Sequence, residues 1–262
     1  MNELSKEEFA LFQHLLLNKA GLFFEPSKLN LLQNRITKRL KKLKINSFAK
    51  YYKLVKNSDK EFLELLDLIT TKETFFFREE FHFDYLVNEI LPKVKNTGQI
   101  RIWSAGCATG EEPYSIAIAI DSALQNVKPF IIATDISKSA IEKAKEGKYT
   151  EKEIKDVPQK FLKYFRKEDE KFYKILPRIR SQITFQIQNL LHESPPLNFH
   201  IIFCRNVMIY FDREIKRKIL LKLAQKLVKE GFLFIGSCET IIDPLVKEIL
   251  KYVKPGIYQK WK

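Results

Sequence analysis

Ile100-Arg101-Ile102-Trp103-Ser104-Ala105-Gly106-Cys107-Ala108-Thr109-Gly110 runs from a short β-prone stretch into a turn carrying two glycines. A helix-patterned segment, Tyr114–Leu124, follows it. Glycine in a strand-to-helix turn lets the backbone close tightly and approach a ligand. The template for such nucleotide-binding turns is acid-x-G-x-G-x-G, and this chain places Ser104, Gly106, Ala108 and Gly110 at its four defining positions. One glycine is an alanine and the acid is a serine, so a purely structural turn is an open alternative.

Working outward, Phe130-Ile131-Ile132-Ala133-Thr134 reads as a second buried strand and ends in Asp135, 25 residues after Gly110. A carboxylate at that place can accept hydrogen bonds from both ribose hydroxyls of a nucleoside. It can equally cap the helix read over Ser139–Lys148. The turn lacks the G-x-G-x-x-G dinucleotide fingerprint and the G-K-[ST] of a triphosphate loop. A nucleoside without phosphates is favoured, which points to S-adenosylmethionine.

Farther on, Ile183, Phe185 and Ile187 alternate with polar residues as a third strand, and Ile201-Ile202-Phe203-Cys204 makes a fourth. Glu214–Lys229 is patterned as a helix ended by Gly231, and Phe232-Leu233-Phe234-Ile235 as a fifth strand. Pro255-Gly256 predicts a tight turn before a last antiparallel strand over Ile257–Trp261. Alternating β and α elements predict a doubly wound, mostly parallel sheet. The alternation fails between Tyr149 and Gln182, a stretch that reads as an insertion with its own small sheet or as a plain loop.

Residues 1–84 have a different character and read as helical throughout. Ser5 and Glu8 form a capping box, Gly21 stops the first helix, and Pro26 starts the next segment. Leu29, Leu32, Ile36, Leu40 and Leu43 give an apolar stripe, with Arg35, Lys38, Arg39, Lys41 and Lys42 mostly off it. Residues 28–60 hold nine Lys and two Arg against Asp59 alone, a local charge of +10 within a chain of +14. Such a face attracts a polyanion, either nucleic acid or an acidic protein helix, unless it is merely solvated.

Composition excludes several classes. The 262 residues are 45% hydrophobic with 21 Phe, which is not a disordered composition. No run approaches the ~18 apolar residues of a membrane span. The start, Met1-Asn2-Glu3-Leu4-Ser5, has no signal-peptide pattern. Three widely spaced cysteines without C-x-x-C and four scattered histidines predict neither disulfides nor a metal site, and suit a reducing cytoplasm.

Five strings then occur in order: Thr74-Phe75-Phe76-Phe77-Arg78-Glu79, Trp103–Ser115 with Gly110-Glu111-Glu112-Pro113-Tyr114-Ser115 inside it, Ala133-Thr134-Asp135-Ile136, Asn189-Leu190-Leu191, and Cys204-Arg205-Asn206-Val207-Met208-Ile209-Tyr210-Phe211. Together they closely resemble the CheR family, the chemotaxis receptor methyltransferases, across nearly the whole chain. The resemblance implies an all-α N-terminal domain over 1–84. It also implies a Rossmann-like, class I methyltransferase domain over 85–262, with a small antiparallel β-subdomain inserted at about 150–182. It implies methyl transfer from S-adenosylmethionine to glutamate side chains of chemoreceptors, leaving glutamate γ-methyl esters and S-adenosylhomocysteine. The expected protein is a cytoplasmic monomer recruited to membrane-bound receptors, and its polyanion is the acidic methylation helix, met by Arg35, Lys38, Arg39 and Lys42.

By the same resemblance Asp135 holds the ribose, Glu112 contacts the methionyl ammonium, and Asn189 and Leu190 line the adenine, with Asn189 reading its edge. Gly106, Gly110, Arg205 and Asn206 complete the cofactor site. Thr74 and Arg78 close it from the helical domain, with Lys72 beside them. Arg78 and Tyr210 are the expected catalytic pair, Tyr210 orienting the acceptor carboxylate. Glutamate, with a pKa near ~4.3, is already a nucleophile at neutral pH, so no general base is expected. Two positions depart from the family. Lys72 stands where many members carry Asn, which puts one cofactor contact in question. Gly236-Ser237-Cys238-Glu239 stands where Gly-His-Ser-Glu is common, so the pocket there is expected to differ. The same residues would serve a pathway that does not control motility, or a cofactor sensor without turnover.

Overall fold

The computed structural model describes residues 3–94, 99–124 and 127–261. Four helices open the chain: α1 (Lys6–Ala20), α2 (Leu29–Leu43), α3 (Phe48–Asn57) and α4 (Asp59–Ile69). The Ser5–Glu8 capping box forms at the start of α1, and Gly21 ends it in a left-handed cap. Helix α2 buries Leu32, Ile36 and Leu40, the centre of the expected stripe. After a ten-residue linker come α5 (Glu80–Tyr85), a single π-helical turn (Leu86–Ile90) and α6 (Leu91–Val94).

The alternating part follows: β1 (Arg101–Ala105), α7 (Glu111–Ala123), β2 (Phe130–Asp135) and α8 (Lys138–Glu146). The inserted elements are β3 (Lys148–Thr150), α9 (Glu151–Ile154), β4 (Phe165–Lys167), β5 (Phe172–Ile175) and α10 (Pro177–Arg180). The chain ends with β6 (Ile183–Ile187), β7 (Phe199–Phe203), α11 (Arg213–Lys226), β8 (Leu227–Phe234), α12 (Pro244–Lys247), β9 (Leu250–Lys254) and β10 (Ile257–Lys260).

Seven strands form one sheet in the order β6-β2-β1-β7-β8-β10-β9. The five strands from β6 to β8 run parallel, while β10 pairs antiparallel with both β8 and β9. The chain reverses strand order between β1 and β7, so the carboxyl ends of β1, β2 and β7 open onto one crevice, the usual ligand position in such sheets. Strand alternation feeds two cores. Trp103 and Ala105 of β1 join the core shared with α1–α4 and α11, while Ile102 joins the core under α5–α7 and the insertion. The helical segment therefore packs against the sheet itself.

The insertion is a three-stranded antiparallel sheet, β3-β5-β4, beginning at Lys148. Its β4–β5 turn closes without glycine because the Asp169 carboxylate accepts the N–H groups of Lys171 and Phe172, both at 2.9 Å. Two expectations need correcting. Helix α11 stops at Lys226 rather than Lys229, and β8 starts at Leu227. Leu227 is buried either way, so helical spacing could not locate the change. Strand β9 was not foreseen, because its lysines and the 63%-exposed Tyr252 give it an edge strand's polar sequence.

Candidate active-site cleft

The crevice is a cavity of about 210 Å³ between the sheet and the helical segment. Its floor is the β1–α7 turn. The N–H groups of Gly106 and Cys107 donate to the Thr134 carbonyl at 2.7 and 3.0 Å, which ties the turn to the end of β2. Gly106 has φ 85°, and a Cβ there would lie 2.4 Å from Val207 Cγ2. Ala108 is also left-handed, at φ 45°, and its N–H donates to Asp135 Oδ2 at 2.9 Å. The other carboxylate oxygen accepts from the Ser137 N–H at 2.8 Å. Burial pushes the Asp135 pKa up, with these two bonds opposing it.

The second acid, Glu112, opens α7. Ser104 donates to Glu112 Oε1 at 2.7 Å, so the residue that replaces the template acid serves to hold Glu112 instead. Glu112 Oε2 lies 3.3 Å from Arg205 Nη1. Burial raises the Glu112 pKa, and the Arg205 charge and the Ser104 bond lower it. Arg205 is itself only 2% exposed at its side chain. Its other arm lies 3.4 Å from Glu79 Oε2 and donates to the Arg78 carbonyl. Glu79 Oε2 also accepts from the Ser237 N–H at 3.0 Å. The neighbouring His82 is neutral at pH 7, since burial and the Arg205 charge lower its pKa to about 4.

The loops after β7 and β8 are fixed by Glu239. Its carboxylate accepts the N–H groups of Asn206 (3.0 Å), Met208 (3.0 Å) and Gly236 (2.6 Å). Burial raises its pKa, against those three bonds. Sequence reasoning noted the Gly236–Glu239 string but assigned Glu239 nothing. The roles of Glu79 and Lys222 were missed altogether. Lys222 donates to the carbonyls of Leu190 (3.1 Å), Leu191 (2.7 Å) and Glu193 (3.4 Å), and so clamps the turn that walls the cleft. The only available signal was a lysine on the inward side of α11.

The roof comes from the end of α1 and the linker. Ala20, Leu22, Thr70 and Thr74 line the cavity. Arg35 holds the linker through the carbonyls of Leu68 (3.0 Å) and Thr70 (3.2 Å). The Phe77 N–H donates to Ser115 Oγ at 2.9 Å. Phe76 packs edge-on against Tyr149 and Phe165, and Phe77 stacks on Phe161 with centroids 4.3 Å apart. Arg78 donates to the Glu73 carbonyl at 3.3 Å and lies 5.5 Å from the Phe75 ring centre. Of the six non-glycine residues at positive φ among the described residues, Ala108 and Asn206 line this cleft, and Phe77 and Glu79 bracket Arg78, which also lines it. Strain of about 1 kcal/mol or more at each is held by the surrounding bonds, the usual signature of a functional site.

Most expected cofactor and catalytic residues meet here. Thr74, Arg78, Gly106 and Glu112 line the cavity, as do Asp135, Asn189 and Leu190, and Arg205, Asn206 and Tyr210. Three expectations are corrected. Lys72 turns away, to Ser139 Oγ at 2.5 Å and Asp67 Oδ1 at 3.2 Å, and latches α4 to α8. Gly110 faces α8, where a Cβ would lie 2.8 Å from that of Ala144. The Asn189 amide donates to the Lys19 carbonyl (3.0 Å) and accepts from the Leu191 N–H (2.9 Å), which ties the wall to α1 and leaves one N–H and one lone pair on the cavity lining. Arg35 and Arg39 point inward. Arg39 forms a bidentate pair with Glu61, 2.8 Å at each arm, and a 3.0 Å contact with Glu64. Lys38, Lys41 and Lys42 remain exposed.

Comparison with known proteins decides the family. The all-alpha domain of the CheR methyltransferases matches residues 7–70, and their SAM binding domain matches 72–254. The chain belongs to the CheR methyltransferase family. A chemotaxis protein methyltransferase of Borreliella burgdorferi is 35% identical, over 98% of this chain and 95% of the relative. Chemotaxis protein methyltransferase 1 of Pseudomonas aeruginosa is 34% identical, over 97% and 98%. The Escherichia coli chemotaxis protein methyltransferase is 33% identical, over 90% and 85%. This CheR protein is thus an S-adenosylmethionine-dependent methyltransferase of the chemotaxis type. Its cleft fits that cofactor chemically. Two partly buried acids, Glu112 and Asp135, have raised pKa values that a cationic, hydroxyl-bearing ligand would relieve. The apolar wall of Phe83, Val207, Leu190 and Phe211 suits an adenine and a thioether chain. Among the described residues no helix is long and apolar enough to cross a membrane.

Proposed function

We propose that this CheR methyltransferase esterifies glutamate side chains of chemoreceptors, working as a monomer on the cytoplasmic side of the membrane. The observation that carries the reading is the cleft itself. Two acids stand on the floor, Glu112 and Asp135, and Arg78 from the linker and Tyr210 from the loop after β7 line the same cavity. S-adenosylmethionine supplies an electrophilic methyl group when bound. Asp135 keeps lone pairs for the ribose hydroxyls beyond its two backbone bonds, and Glu112 takes the methionyl ammonium. Arg78, held by one carbonyl and the Phe75 ring among the described residues, lines the cavity and is the group to pair with the methionyl carboxylate. Leu190 packs on the adenine. Arg205, bracketed by Glu79 and Glu112, fixes the Glu112 carboxylate, and Asn206 shapes the loop beside it.

The acceptor carboxylate is ionised at neutral pH and needs no base. Opposite charges on donor and acceptor are lost as the methyl moves. A strong ion pair from Arg78 to the acceptor would therefore stabilise the reactants more than the transition state. Alignment is the protein's main contribution, and the Tyr210 hydroxyl is the group that aims the carboxylate. Lys38 and Lys42, exposed on α2, are left to meet acidic receptor helices.

The test is methylation of a receptor cytoplasmic fragment with methyl-labelled S-adenosylmethionine. Label released as methanol by mild alkali, and lost when the modified glutamates become Ala, supports the ester. Alkali-stable label would place the methyl on nitrogen or sulfur and refute the reading.

A further inference from the structure

Three large apolar side chains stand in solvent around the cleft mouth. Ile209 is 60% exposed, Phe75 52% and Phe23 46%. Ile209 and Phe75 line the cavity directly, and the Phe23 N–H donates to the carbonyl of Tyr210, another lining residue, at 2.9 Å. Each has buried apolar neighbours in sequence: Met208 and Phe211, Phe76 and Phe77, Leu22 and Phe24. The chain therefore buries apolar residues within two positions of each and turns one outward. Single exposed apolar residues are ordinary, but a set grouped around one opening marks a binding surface.

We propose that this collar reads apolar residues flanking the acceptor glutamate on an amphipathic, acidic protein helix, an inference that rests on the glutamate-ester reading above. The occupant follows from charge and continuity. Arg35 bonds the carbonyl of Thr70, and Thr70 lines the cleft, so the middle of α2 is fixed to the collar's edge. Exposed Lys38, Lys41 and Lys42 continue along α2 from that point. A partner that covers both surfaces must carry acids and apolar side chains together. A nucleic acid has no apolar side chains to offer the collar, and a free amino acid is too short to span collar and lysines. On a helix, residues three or four positions either side of the acceptor share its face. Those are the positions that meet Phe23, Phe75 and Ile209 when the glutamate enters toward Tyr210.

The experiment is steady-state methylation of a receptor fragment by wild type and by the Phe23→Ser/Ile209→Ser double variant, with S-adenosylhomocysteine titrations of both. Phe75 is spared because it carries Arg78. KM for the fragment is expected to rise about tenfold or more in the variant, with S-adenosylhomocysteine affinity within about twofold, which also shows that the variant is folded. Changing the fragment's apolar residues at three and four positions from the glutamate to Ser should raise the wild-type KM similarly and add little in the variant. An unchanged KM in the variant would overturn the collar. So would a concentration-dependent wild-type dimer lost in the variant, which would assign the collar to a second copy. No methylation of the fragment by wild type would instead remove the glutamate-ester reading on which the collar depends.

Discussion

The floor and the roof of the cleft are built by opposite means. The floor is local. Gly106, Ala108, Asp135 and Ser137 are set by bonds within the β1 and β2 ends, and the acid sits where any parallel sheet of this topology would put it. The roof is held from far away in the chain. Arg35 bonds the linker, Asn189 bonds the end of α1, and Phe23 bonds Tyr210. A local floor tolerates change elsewhere in the fold, while a roof of long-range ties fails when one tie is cut.

The largest effect should come from Glu239, which serves the floor's outer loops through three N–H donors. Glu239→Ala strands all three in a buried place and should cost about 4 kcal/mol in denaturant unfolding. Turnover should fall with it, while Glu239→Gln recovers part of both. Equal stability of Glu239→Ala and wild type would show that the loops hold themselves. Next comes the contrast within α2. Burial works against the charge of Glu61, yet the bonds from Arg39 and Tyr51 hold its pKa below the usual range. Arg39→Met leaves that carboxylate buried without its partner, and about 3 kcal/mol of stability should go. Lys38→Glu/Lys42→Glu should leave stability alone and raise the receptor KM, most at low salt. If Arg39 behaved like the lysines, the inward and outward faces would have been assigned wrongly.

Much of the floor was readable in the sequence. The strands, the glycine turn, the strand-end acid and the family strings are each short continuous patterns, and the parallel-sheet topology then brings the turn and the acid together. The roof was readable only as membership. Arg35 and Arg39 flank the apolar stripe by one position, and whether they face solvent or α4 depends on where α4 packs, which no helical period records. Lys72 illustrates the same limit. Its place beside Thr74 suggested the cofactor, but Asp67 and Ser139 are nearer in space. Beyond the nearby Gly236 bond of Glu239, the cleft partners of Glu79, Lys222 and Glu239 lie 29 or more residues away, and only folding brings them together.

A smaller effect should sharpen the account of the wall. Lys222→Met removes the donor to three carbonyls and should weaken S-adenosylhomocysteine about tenfold with the receptor KM unmoved. Lys222→Arg should recover part of the affinity. Loss of stability without loss of affinity would make the lysine a fold element only. The smallest lies outside the cleft, at Glu111. Burial pushes its pKa up to about 7, against bonds from Thr109. The folded state thus prefers the protonated acid. Its contribution is fully present below about 4.5 and is lost as pH rises through about 7. Glu111→Gln should melt roughly 3 °C above wild type at pH 8, and the gap should close by about pH 4.5. A variant that melts lower at pH 8 would mean that the carboxylate is stabilised as an anion.

The central claim is that the cleft between helical roof and sheet floor holds the cofactor through Asp135. Calorimetric titration with S-adenosylhomocysteine tests it most directly. Micromolar binding by wild type, lost in Asp135→Ala while the variant's thermal transition is retained, is the expected result. Binding of equal strength in Asp135→Ala would contradict the account and move the nucleoside away from the end of β2.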